Sequence, residues 1–253
     1  TVDPLAGLNP RAREAARSLL CVGDLRLLAV LGDPAWRLRD GIRALAVTPD
    51  GRRTVAAGQD GALGVIDLTS GEVTPLEGYP VGVDVEGADV SPDGAFAITA
   101  GEDGVVHLWS LATEPPAAPL DTQRVPGPLW AAVFDRAGER AFVASNDGRV
   151  HAFTVVRGDA PALRPVGASA KVGRPLRALA VSPSGRHLLG GGDDAVVRLW
   201  SLEADAPSQW LELRGHEGPV RGVAFLTEAR AASAGATVIV WDLANAAAER
   251  TLP

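Results

Sequence analysis

The sequence predicts an all-β fold made of repeated four-stranded antiparallel units. Three observations predict it. First, four stretches share one length: Ile42 to Ile66, Val85 to Trp109, Leu129 to Phe153 and Leu176 to Trp200 each span a 24-residue step, and Val220 to Trp241 is three residues shorter. Second, each of the four equal stretches carries a Gly-bearing turn, three of them with Pro, at one place and an Asp-Gly-like turn at another. Third, helical periodicity is weak throughout, whereas short apolar runs bounded by turn residues recur. A repeat of this size cannot bury its own faces, so copies must pack side by side.

The elements follow in order within each copy. An apolar strand comes first, as in Val85–Val90. Its turn reads Thr48-Pro49-Asp50-Gly51, Ser91-Pro92-Asp93-Gly94 or Ser182-Pro183-Ser184-Gly185, and Asp135-Arg136-Ala137-Gly138 keeps only the glycine. Proline presets φ early in such a turn, and glycine accepts positive φ at its end. A second strand follows, as in Ala97-Ile98-Thr99 or Leu188-Leu189-Gly190. Then come Asp60-Gly61, Asp103-Gly104, Asp147-Gly148 and the degraded Asp194-Ala195, which are expected to form two-residue type I′ hairpins. The third strand runs to the terminal large residue. A fourth is placed after it, as in Gln209–Leu213 and Glu249–Leu252, with connections of varying length.

The first forty-one residues read differently. Leu19–Val22 and Leu25–Val30 flank Gly23-Asp24 and resemble a second and a third strand, with Ala35–Arg39 as the fourth and Val2–Leu8 the candidate first. Pro10–Leu20 alternatively starts a helix after Asn9 as N-cap. The expectation is one domain over 1–253: a degenerate unit or extension at 1–41, then five clear repeats at 42–253. The Pro-rich stretches Thr113–Pro128 and Gly158–Pro175 are expected to be connectors around outer strands, their prolines keeping edges from pairing with other chains.

Composition narrows the function. The net charge of −7 argues against nonspecific nucleic-acid binding through an overall positive field. No apolar run is long enough to span a membrane, and no basic segment followed by an apolar stretch opens the chain. Cytoplasmic residence is the expectation. The single cysteine, Cys21, lies in an apolar run and reads as a small buried hydrophobe. Lys171 is the only lysine, and the Ala, Gly, Val, Leu and Arg usage is that expected of a GC-rich bacterial genome. The chain has no methionine, even at position 1, which points to a processed product or a piece of a longer polypeptide.

Catalytic constellations are scarce. His107 and His151 share one repeat position, filled elsewhere by Gly64, Arg198 and Ile239, so it reads as a tolerant, partly exposed strand site. There is no His-x-x-x-His or Cys-x-x-Cys spacing, and no Gly-x-Ser-x-Gly elbow. Gly190-Gly191-Gly192 precedes a hairpin rather than a helix, so it is not a phosphate loop. The carboxylates Asp60, Glu102, Asp103, Asp147, Asp193 and Asp194 are mostly asked for by turn chemistry. No cofactor, metal or small-molecule substrate is expected. The competing reading is an enzyme, or a metal or small-molecule binder, using the acidic residues at one end. Another is a regulatory domain of a multidomain kinase, protease or signalling ATPase.

Register instead gathers two sets of residues at one end. Arg43, Glu86, Trp130, Arg177 and Arg221 each follow the first apolar residue of their copy. Gln59, Glu102, Asn146 and Asp193 each precede the turn Asp. They are the candidate binding site, in which Trp130 would be an aromatic anchor and the arginines would make directional contacts.

Leu213-Arg-Gly-His216 with Val220-Arg-Gly-Val-Ala-Phe225, the Ser-Pro-Asp-Gly turns, the Asp-containing hairpins and Val238-Ile-Val-Trp241-Asp242 together resemble the WD-repeat β-propeller family over about residues 35–253. The resemblance implies four-stranded blades set radially around a channel, one end of which docks partner proteins. Six blades are favoured, with seven, the family's usual number, as the alternative. His216 stands in the only Gly-His pair and joins the candidate site. Its usual partner in the family, the hairpin Asp, is replaced by Ala234-Gly235. The resemblance therefore implies that most internal polar networks are missing and that apolar packing between blades carries stability.

Overall fold

The computed structural model describes residues 41–112, 118–207 and 210–252. They form five four-stranded antiparallel sheets, each in simple sequence order. Blade one holds β1 (Ile42–Val47), β2 (Arg53–Gly58), β3 (Leu63–Asp67) and β4 (Val73–Pro75). Blade two holds β5 (Val85–Val90), β6 (Phe96–Gly101), β7 (Val105–Ser110) and β8 (Asp121–Arg124). Blade three holds β9 (Leu129–Phe134), β10 (Arg140–Ser145), β11 (Val150–Val156) and β12 (Ala162–Ala168). Blade four holds β13 (Leu176–Val181), β14 (His187–Gly192), β15 (Val196–Ser201) and β16 (Trp210–Arg214). Blade five holds β17 (Gly222–Phe225), β18 (Arg230–Ala234), β19 (Val238–Asp242) and β20 (Ala247–Leu252). All five expected repeats are blades. The expected degenerate blade, its helical alternative and Cys21 lie outside the described residues. Among the described residues no helix is long and apolar enough to cross a membrane.

The turns obey local chemistry, with one correction. Only Asp60-Gly61 has positive φ at both residues, 56° and 74°, and closes the expected two-residue turn between Gln59 and Ala62. At the other three sites only Gly104, Gly148 and Ala195 have positive φ. There the bond runs from Gly104 N to Gly101 O, from Gly148 N to Ser145 O and from Ala195 N to Gly192 O. These are longer turns ending in one left-handed residue. Asp103, Asp147 and Asp194 favour them, because each Oδ1 accepts the backbone N–H two residues on.

The two Pro-rich stretches hold more than connectors. β8 lies within the first and β12 within the second. Pro165 pairs opposite Phe153 in an outermost strand. A residue without an N–H is tolerated there because one side of the strand has no ladder to feed.

Apolar packing joins consecutive blades. Ala46, Val55, Leu63 and Val65 of blade one pack with Val85, Val90, Ala97 and Trp109 of blade two. Trp109, Trp200 and Trp241, the terminal large residues of their repeats, are wholly buried. Each such side chain stabilises the fold by about 2–3 kcal/mol relative to an exposed one. Close approach is required at Gly87, where a Cβ would lie 2.7 Å from the Ala132 backbone nitrogen in the next blade. Polar ties cross the same joints. Arg53 donates to the Leu111 carbonyl at 2.7 Å, Phe134 N to Asp89 at 2.7 Å and Arg140 to the Leu202 carbonyl at 3.0 Å.

Internal polar networks are missing from three of the five described blades, where Ala56, Val143 and Gly190 stand at the register of the accepting hydroxyl, and two blades keep one. In blade five Trp241 Nε1 donates to Ser233 Oγ at 2.7 Å, and His216 Nε2 lies 2.6 Å from the same oxygen. In blade two Trp109 Nε1 donates to Thr99 Oγ1 at 2.9 Å, with Tyr79 Oη 3.0 Å from that hydroxyl. Serine and threonine thus do the accepting, and a tyrosine takes the place of a histidine. Blade four lacks the hydroxyl: Gly190 stands at that register, and Trp200 Nε1 finds no partner among the described residues. The position shared by His107 and His151 is buried at His107, Arg198 and Ile239 but partly exposed, as expected, at His151. His107 bonds Thr122 at 2.9 Å and the Gly78 carbonyl at 3.1 Å, and Arg198 there is 4% exposed beside Asp194.

Candidate partner-binding mouth

The residues expected to converge are placed by a shared defect in the ladders. Pairing between the first two strands slips between Ile42 and Ala44, between Val85 and Gly87, and between Leu176 and Ala178. In blade three it slips where Ser145 pairs with Leu129 and Ala144 with Ala131. Arg43, Glu86, Trp130 and Arg177 are therefore the bulged residues. A bulge frees one residue from the ladder and re-aims its side chain. Arg221 differs: it stands just before β17, and its N–H donates to the Ala234 carbonyl.

Contacts between blades bring these side chains together. The Arg177 guanidinium lies 3.8 Å from the centre of the Trp130 ring. Its Nε and Nη2 both reach Asp193, at 3.0 and 2.7 Å, giving a two-pronged pair. Arg221 approaches the same carboxylate at 3.5 Å from blade five. These bonds hold the Asp193 carboxyl below its ordinary range, with Arg177 as the main cause. Trp130 is half-buried, and its Nε1 is buried without a partner among the described residues.

The other side of the mouth is acidic. Arg43 pairs with Asp84 and Glu86, both at 3.4 Å. Gln59 Nε2 approaches Asp84 at 3.5 Å, and Asp60 N donates to Asp84 at 3.2 Å. Burial pushes the Glu86 carboxyl up, Arg43 opposes that, and Glu102 and Asp84 add to it by repulsion. Arg177 of blade four also acts on Glu86 of blade two, so the two sides share one electrostatic environment.

Glu102 and Asn146 are exposed. Their backbone N–H groups bond the residue just before the neighbouring first strand, the Asp84 carbonyl at 2.9 Å and the Pro128 carbonyl at 2.8 Å. His216 differs from the rest of the set, because its ring is engaged with Ser233 and lies 6.2 Å from Trp241. Burial pushes its pKa down. Asp84 was missed by sequence reasoning. It fills a position that other copies give to Gly41, Pro128, Pro175 and Pro219, so the break in the repeat was the available signal. Arg174, which acts on Asp193, was missed as well and carries no such mark. Among the described residues no three His, Cys, Asp or Glu side chains gather as a metal site would require.

Comparison with known proteins gives the fold its context. A chain in the crystal structure of a mitotic checkpoint complex superposes with a TM-score of 0.70 at 20% identity, covering 83% of this chain and 63% of that one. Ribosome biogenesis protein YTM1 from two Saccharomyces cerevisiae strains is 33% identical over 72 residues. That stretch is 28% of this chain and 15% of the yeast protein. The family model for the WD domain, G-beta repeat, matches residues 73–110 and 170–201. Each match runs from an outer region of one blade into the third strand of the next, which is the unit that carries Trp109 or Trp200. Two stretches of the chain thus match the WD40 repeat, and the described residues fold as four-stranded blades of the β-propeller kind.

Proposed function

We propose that this chain is a non-catalytic interaction module that docks a partner protein or peptide at the mouth formed by Arg43, Glu86, Trp130, Arg177 and Arg221. One observation carries the reading: in four blades the bulged residue is the one that projects there, and those residues are two arginines, a glutamate and a tryptophan. Bulges at ordinary structural positions need no such side chains, whereas interfaces are enriched in Arg and Trp. The structural neighbour that is itself a chain of a complex agrees with a binding role. The module acts within a larger protein or complex, in the cytoplasm.

Site-specific photo-cross-linking tests this. A photoreactive residue placed at Asn146 or Glu102 is expected to capture a discrete polypeptide in cells of the source organism. The same residue at Arg186, beyond the Pro-Ser-Gly turn at the other end of the strands, is expected to capture none. Equal capture at both ends would remove the mouth from the proposal.

A further inference from the structure

The mouth is split by sign, and the split specifies the partner. Asp60, Asp84, Glu86 and Glu102 belong to blades one and two, where Arg43 is the counter-charge bonded to Asp84 and Glu86. Arg174, Arg177 and Arg221 belong to blades four and five, where all three act on the single carboxylate of Asp193. Carboxylates outnumber cations on one side and cations outnumber carboxylates on the other. Trp130 of blade three stands between them, under Arg177.

The two sides are also unequally settled. Glu86 is largely buried, with 16% of its side chain exposed, and its upward shift says that Arg43 at 3.4 Å does not offset the loss of water and the repulsion of Glu102 and Asp84. A further cation placed there would be favoured. Arg221 is the opposite case: its side chain is 61% exposed, and its contact with Asp193 is 3.5 Å long. Arg177 already holds that carboxylate with two shorter bonds. Arg221 is therefore placed to receive a second carboxylate at little cost in desolvation.

Resting on the docking reading above, we infer that the mouth binds a mixed-charge peptide segment. A Lys or Arg side chain of the segment meets Glu86, Asp84 and Glu102, and an Asp or Glu a few residues away meets Arg221 and Arg174. A segment of one sign meets repulsion on one side whichever way it lies. Charge opposition of this kind selects partners more than it adds affinity.

Three fluorescein-labelled peptides of equal length test it by polarisation at low ionic strength with the full chain. One joins a lysine pair to a glutamate pair through Gly-Ser-Gly, one has lysine pairs at both ends and one has glutamate pairs at both ends. The mixed peptide is expected to bind about tenfold tighter than either other. Glu86→Gln is expected to weaken the mixed and lysine peptides but not the glutamate peptide. Arg221→Gln is expected to weaken the mixed and glutamate peptides but not the lysine peptide, and Arg186→Gln to change nothing. Equal binding of all three peptides, or unchanged binding of the mixed peptide by both mouth variants, would overturn the charge rule. Cross-linking from Asn146 would then still report on the docking reading by itself, so the two failures are distinguishable.

Discussion

The Arg177 guanidinium stacks 3.8 Å from the Trp130 ring centre while its edge donates two bonds to Asp193. One side chain thus ties the first strand of blade four to that of blade three and to its own hairpin. A lysine keeps the charge but neither the planar stack nor the fork. Arg177→Lys is expected to cost about 1 kcal/mol in urea denaturation and to raise acrylamide quenching of the Trp130 contribution, isolated by comparison with Trp130→Phe. Unchanged quenching would mean that the stack does not shield the ring.

Ser233 accepts from Trp241 and bonds His216, all within blade five. Removing its hydroxyl leaves a buried indole N–H unpaired. Ser233→Ala is expected to cost about 2–3 kcal/mol. Thr99→Val in blade two, which strands the Trp109 N–H in the same way while Tyr79 keeps its bond to the Val105 carbonyl, should cost a similar amount. Urea midpoints of the two variants are the check. A loss below about 0.5 kcal/mol in both would show that the networks contribute little beyond shape.

Gly190 takes the hydroxyl's register in blade four, yet restoring a serine there should not help. A Cβ at Gly190 would stand 2.6 Å from Trp200 Cζ3, so the indole has moved into the space a side chain would need. Gly190→Ser is expected to destabilise by about 1–3 kcal/mol. A gain in melting temperature would mean that the ring can retreat and donate to the new oxygen.

Asp89 makes stability depend on pH. Burial pushes its carboxyl up to about 6, against the bonds from Phe134 N and Val90 N and the attraction of Arg136. The folded value thus lies above the unfolded value of about 4. Between these values the folded chain holds more protons than the unfolded one, so this group's contribution falls as pH rises from about 4 to about 6. Above that window the penalty is constant, on the order of 2–3 kcal/mol. Asp89→Asn is expected to flatten the profile across the window in urea titrations at a series of pH values. An identical profile for wild type and variant would assign the pH dependence to other groups.

Equivalent leucines should respond differently. Leu45 is 58% exposed and Leu179 is 8% exposed. Leu179→Ala is expected to cost about 2–4 kcal/mol and Leu45→Ala less than about 1 kcal/mol, measured by chemical denaturation. Comparable losses at both positions would mean that Leu45 is covered in solution.

Much of the fold was legible because its causes are local. The Pro/Gly turns and the Asp-bearing hairpins set strand ends and spacing through their own φ preferences, so the three inner strands of every described blade fall where the repeat puts them. The outer strands β8 and β12 hid inside Pro-rich segments, since their pairing comes from the neighbouring strand and not from their own composition. The candidate mouth was legible as a register position. Its internal pairing was not, because Asp84 takes Arg43 from the preceding blade and Asp193 takes Arg221 from the following one in addition to its own Arg177.

One comparison separates the two levels. Residues 42–47 read Ile-Arg-Ala-Leu-Ala-Val and residues 176–181 read Leu-Arg-Ala-Leu-Ala-Val. Sequence alone determined that both are first strands; the structure gives both the same bulge at the arginine and pairs each with the second strand of its own blade. Only the tertiary structure decided the rest. Leu176, Leu179 and Val181 are buried, packed in one cluster with Phe142 and Ala144 of the preceding blade, whereas Ile42, Leu45 and Val47 are more than half exposed. Arg177 finds Trp130 in that preceding blade, whereas Arg43 finds Asp84 and Glu86 in the following one. Backbone conformation is set by neighbours along the chain, but burial and charge pairing are set by neighbours across space, and near-identical hexapeptides have different ones.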